Sequence, residues 1–101
     1  MSGEVPIACR LSDAEFRRRE ATLLAQFKEA RIATEELPDG YAFTLPGENK
    51  WFSLMADVVM AERECCPFLS FQVGAEPNLG AIIVRVTGPP GTKEFLESVF
   101  L

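Results

Sequence analysis

The chain has 101 residues, 48% hydrophobic and 25% charged, with a formal net charge of −5. That length suits one globular domain, 1–101, with a single hydrophobic core, and the composition excludes a disordered chain. The negative balance disfavours nucleic acid and anionic membrane surfaces as partners, because both demand a positive field.

The sequence contains no histidine. This removes the commonest general base and the commonest metal ligand, and with them Ser-His-Asp and Cys-His mechanisms. Met1-Ser2-Gly3-Glu4 lacks the basic segment and apolar run of a signal peptide. No stretch approaches the ~18–20 consecutive apolar residues of a bilayer span. The expected compartment is therefore the cytoplasm. There, three cysteines, an odd number, are expected as reduced thiols rather than as a disulfide framework.

In chain order, Val5 to Leu11 alternate, with Val5, Ile7, Cys9 and Leu11 on one side, and predict a strand whose Pro6 suits an edge or a strand start. Ser12 and Glu15 form a capping box, with Leu11 and Phe16 as the hydrophobic staple. They open a first helix whose inward stripe is Phe16, Leu23, Leu24, Phe27 and Ala30. Arg17, Arg18 and Arg19 are flanked by Glu15 and Glu20, and Glu15 can pair with Arg19, so they read as a solvated face. Pro38-Asp39-Gly40 supplies a tight turn with Gly40 at positive φ. Tyr41, Phe43 and Leu45 then alternate as a strand, with one further short strand before the turn.

A second helix runs from about Asn49 to Cys65 or Cys66 and is stopped by Pro67, which pushes its predecessor out of the α region. Its stripe holds Trp51, Leu54, Met55, Val58, Glu62, Cys65 and Cys66. Leu69, Phe71 and Val73 make a third strand, and Pro77-Asn78-Leu79-Gly80 a turn. The run Ala81 to Thr87 is the most β-prone, with Ile82, Val84 and Val86 on one face. After Gly88-Pro89-Pro90-Gly91, Thr92 caps a short helix carrying Phe95, Leu96, Val99 and Phe100. The order β-α-β-β-α-β-β-α predicts an α+β two-layer sandwich, mostly antiparallel, with helices on one face and ferredoxin-like topology as the leading guess.

Glu62 is the anomaly. A carboxylate on an inward stripe, in the last turns of a helix, opposes both burial and the helix dipole. Together with Cys65 and Cys66, and with Cys9 as a possible fourth donor, it makes a candidate site for a soft ion such as zinc or copper(I), or for a thiophilic metal or metalloid. Adjacent cysteines depart from the usual structural-zinc spacing of about two to four intervening residues. A redox reading uses the same thiols, as a labile Cys65–Cys66 disulfide, although a helix C-terminus does not activate a thiol. The plain alternative is that the cysteines are buried core residues of an interaction or dimerisation module, with Glu62 paired to Arg85 or Arg10. A homodimer is then expected through the strand near Val5 or the C-terminal helix.

Two other features carry less. Gly88 to Lys93 departs from the phosphate-loop pattern and leaves only a weak anion site at the helix start. Trp51, Phe52, Phe68 and Phe71 read as core before they read as a ligand pocket. No catalytic constellation is present; Glu62 as a general base is the one enzymatic reading.

Leu37 to Phe43, Glu62 to Phe68, Val86-Thr87-Gly88-Pro89 and Lys93-Glu94-Phe95-Leu96 together resemble a family of short uncharacterised bacterial proteins. That family carries a Cys-Cys-Pro-Phe motif followed by a Thr-Gly-Pro turn. The resemblance covers the chain from about Ile32 onward and implies a bacterial single-domain protein; it transfers no activity.

Overall fold

The computed structural model of the chain describes residues 14–101, with side chains at 18 and from 21 onward. The expected strand from Val5 to Leu11, with Cys9 and Arg10, lies outside the described residues, and the Ser12–Glu15 capping box, the Leu11–Phe16 staple and the Glu15–Arg19 pair rest on residues or side chains outside them. The described elements are α1 (Ala14–Ala30), β1 (Ala33–Leu37), β2 (Gly40–Leu45), α2 (Asn49–Cys65), β3 (Ser70–Ala75), β4 (Ile82–Thr87) and α3 (Thr92–Val99). The strands form one antiparallel sheet in the order β1-β2-β4-β3. This is the α+β sandwich expected, in broad agreement with a ferredoxin-like plan, and it includes the short strand before Pro38.

Period-two alternation sets the buried face. Tyr41, Phe43 and Leu45 of β2 stand opposite Val86, Val84 and Ile82 of β4, and all six are buried. Phe27 of α1 meets Phe43 edge-on with ring centroids 5.2 Å apart, and meets Phe100 in the same way at 5.5 Å. Phe100 stacks on Phe43 at 5.6 Å. Leu54, Met55 and Val58 of α2 join the same core, so all three helices cover one face of the sheet. Each fully buried aromatic or aliphatic side chain there contributes roughly 1.5–3 kcal/mol. The opposite face exposes Glu35, Gln72 and Arg85.

Local chemistry differs from the sequence expectation at two glycines. Gly40 does not take a positive φ; among the described glycines that conformation belongs to Gly91, at 99°. Gly40 is required instead by close approach, because a Cβ there would lie 1.9 Å from the Val86 carbonyl oxygen. Gly91 is the N-cap of α3, and Thr92 is its first helical residue with no side-chain cap bond. A left-handed turn favours glycine, so the chain reverses at Gly91 and Thr92 is carried inside the helix, where it is buried.

The third helix is also held by polar contacts. Tyr41 Oη donates to Glu97 at 2.7 Å. Lys93 bonds Glu36 and lies over the Tyr41 ring, 5.9 Å from its centroid. The hydrogen bond to Glu97, then burial and the neighbouring carboxylates, push the Tyr41 phenol up to about 12. Arg31 Nη1 donates to the Phe100 carbonyl at 2.6 Å, tying the end of α1 to the end of α3.

Candidate functional site

Helix α2 carries the candidate site at its C-terminal end. Its buried positions are Leu54, Met55, Val58, Glu62 and Cys65, the stripe that helical spacing predicts. Trp51, at the start of that stripe, is half-buried. The helix ends because Pro67 forces the residue before it from helical geometry. Cys66 accordingly leaves the helix with φ −124° and ψ 77°, while its amide still donates to the Glu62 carbonyl at 2.7 Å. The Leu69 amide then donates to the Cys66 carbonyl at 3.1 Å, and the chain passes into β3.

This turn gathers three donors. Glu62, Cys65 and Cys66 are each 1% exposed, and one carboxylate oxygen and the two sulfurs all lie within 4.8 Å of one another. Such a group could hold a metal ion. The Cys66 thiol points at the Cys65 sulfur across 3.4 Å. Arg63 and Glu64 beside them are exposed and Pro67 is half-buried, so the cluster sits just beneath the surface at the helix end. The last carbonyls of a helix carry partial negative charge, which favours a cation at this end.

Cys65 is disulfide-bonded. A covalent S–S bond is about 2.05 Å long, so the 3.4 Å separation excludes Cys66 as its partner. The vicinal disulfide considered from the sequence is therefore not formed, and the expectation of uniformly reduced thiols does not hold at this residue. An odd cysteine count in a chain expected to be cytoplasmic carries no signal for that bond.

The other sequence candidates fall in different places. Arg85 is exposed on the sheet face opposite Val84 and Val86, so it is no partner for a side chain in the core. The period-two alternation that buries its neighbours turns it outward. Phe68 is buried and meets Phe95 edge-on at 5.0 Å, closing the core behind Cys66. Phe71 is half-buried and Phe52 is 41% exposed. A cavity of about 400 Å³ opens between Pro38, Asp39 and the Gly88–Glu94 turn, and another of about 390 Å³ lies among Pro46, Gly47, Glu48, Asn49 and Leu79. Neither is lined by the cysteines or by those aromatics. Phe100 is fully buried between α1 and β2, so the C-terminal residues are not a uniformly exposed apolar end.

Among the described residues, no helix is long and apolar enough to cross a membrane. Comparison with known protein families, with curated proteins and with solved structures finds no match to this chain.

Proposed function

We propose that the protein binds a soft metal ion or metalloid through Cys65 and Cys66, with Glu62 as third ligand or as acceptor of a thiol proton. The observation that carries this reading is the convergence of three buried donors within 4.8 Å at a helix C-terminus. Two thiolates and a carboxylate suit zinc, copper(I) or a thiophilic metalloid better than a hard cation. Tetrahedral zinc with Zn–S of about 2.3 Å sets its sulfurs ~3.8 Å apart, close to the 3.4 Å between Cys65 and Cys66. The Cys9 thiol is a candidate fourth donor on sequence grounds. Ligation uses the thiolate, so the ion is taken up by protein in which Cys65 is reduced.

Titration of the reduced chain with Zn²⁺ or Cd²⁺ tests the reading. Saturable, stoichiometric binding is expected, and it is lost in the Cys65→Ser, Cys66→Ser double variant. Unchanged affinity in that variant overturns the assignment.

A second reading, homo-association, is favoured by β3, an edge of the sheet among the described residues. Its sequence Ser70 to Ala75 has no charged residue, and all but Phe71 are exposed, whereas the β1 edge carries Glu35 and Glu36. Unguarded edges pair readily with a second copy. A strict monomer in sedimentation across a wide concentration range overturns it.

A further inference from the structure

Building on that thiol-site reading, we propose that the site is gated by the oxidation state of Cys65: its disulfide closes the site to metal, and two-electron reduction opens it. Cys65 is one of the three donors in the cluster, and it is disulfide-bonded. A sulfur held in a disulfide is no thiolate, and the thiolate is the form that ligates soft ions. With Cys65 withdrawn, the described cluster retains Glu62 and Cys66, two donors where a tetrahedral ion asks for four.

The position of the bond makes the gate specific. It is not made to Cys66, whose sulfur stands 3.4 Å away. Reduction therefore restores a vicinal thiol pair on an already formed helix end, beside a carboxylate already in reach. Exposed Arg63 and Glu64 flank the buried sulfurs, so opening the last turn of α2 suffices to admit a reductant, without global unfolding.

The step balances as thiol–disulfide exchange with a dithiol reductant. A reductant thiolate attacks one sulfur of the bond, the S–S bond at Cys65 breaks, and a mixed disulfide forms. The second reductant thiol closes its own disulfide and releases the remaining protein sulfur. Two electrons pass to the protein, and both sulfurs leave as thiolates that take up protons from solvent. An incoming divalent ion then displaces the protons of Cys65 and Cys66 into solvent. Exchange with a low-molecular-weight disulfide runs the sequence backwards and ejects the ion.

The test uses the full chain in two preparations, one kept free of reductant and one reduced with a dithiol and desalted under inert gas. Alkylation in denaturant is expected to count one thiol before reduction and three after it, since the sequence holds three cysteines and one disulfide uses two. Both preparations are titrated with Cd²⁺, following the thiolate-to-cadmium charge-transfer band and the metal retained after dialysis. The reduced chain is expected to bind one ion and the oxidised chain none, and bound Cd²⁺ is expected to slow reoxidation by glutathione disulfide. Equal binding in both preparations overturns the gate while the metal reading stands. No binding in the reduced chain overturns the metal reading and the gate with it. Three thiols in the unreduced chain overturn the gate alone.

Discussion

The Cys66 amide donates to the Glu62 carbonyl across 2.7 Å, and that bond holds the Cys66 sulfur within 4.8 Å of the carboxylate four residues before it. Backbone and side chain thus act together. Pro67 ends the helix, yet the last i→i−4 bond survives, so the two sulfurs and one carboxylate oxygen of this turn converge instead of splaying around it.

Glu62→Gln keeps the side-chain shape and removes its charge. If the carboxylate ligates, affinity of the reduced chain for Zn²⁺ should fall at least tenfold, about 1.4 kcal/mol, as read by competition with a chelating dye. Arg85→Ala is the contrast. Its side chain is exposed on the opposite face, so affinity should not change and stability should move by less than about 0.5 kcal/mol. A larger loss from Arg85→Ala than from Glu62→Gln would restore the ion-pair reading.

Tyr41 is the single tyrosine of the chain, so phenolate absorbance reports it alone. Its phenol should titrate at about 12, because Glu97 accepts its hydrogen bond. The folded value lies above the unfolded one of about 10. The folded state therefore keeps the proton over that interval, and the associated stability is complete below the unfolded value and lost as pH rises through the folded one. In Glu97→Ala the titration should move toward the ordinary value; no movement would show that burial and the other carboxylates, Glu36 and Glu94, are responsible instead.

Phe100 lies fully buried against Phe27 and Phe43. Phe100→Ala should cost about 3–5 kcal/mol in urea unfolding. Leu101 is 42% exposed, and Leu101→Ala should change stability by less than about 0.5 kcal/mol. Similar costs at both positions would contradict the packing described.

Gly40→Ala would set its Cβ 1.9 Å from the Val86 carbonyl oxygen, a backbone atom in the paired strand. The sheet must part to admit it, at a cost of about 1–3 kcal/mol or more. Gly74, in β3, has nothing within 4 Å of that position among the described residues. Gly74→Ala should be neutral or stabilise by roughly 0.5–1 kcal/mol through the unfolded chain. A thermal melt of the two variants in one buffer separates them.

Much of this protein is legible in its residue pattern alone. Alternation in Tyr41–Leu45 and Ile82–Val86, the 3.6-residue stripe of α2 and the stop at Pro67 determine element types and buried faces, because each is a local consequence of backbone periodicity and sterics. The same stripe brings Glu62, Cys65 and Cys66 to one side of a helix end. Tertiary structure alone decides the rest. The order β1-β2-β4-β3 depends on which hairpins meet across β2 and β4. The close approach to Val86, rather than a positive φ, dictates Gly40. The sheet turns Arg85 away from the core. Above all, the disulfide at Cys65 depends on two sulfurs meeting in space, and sequence spacing carries no distance between residues that are not neighbours along the chain.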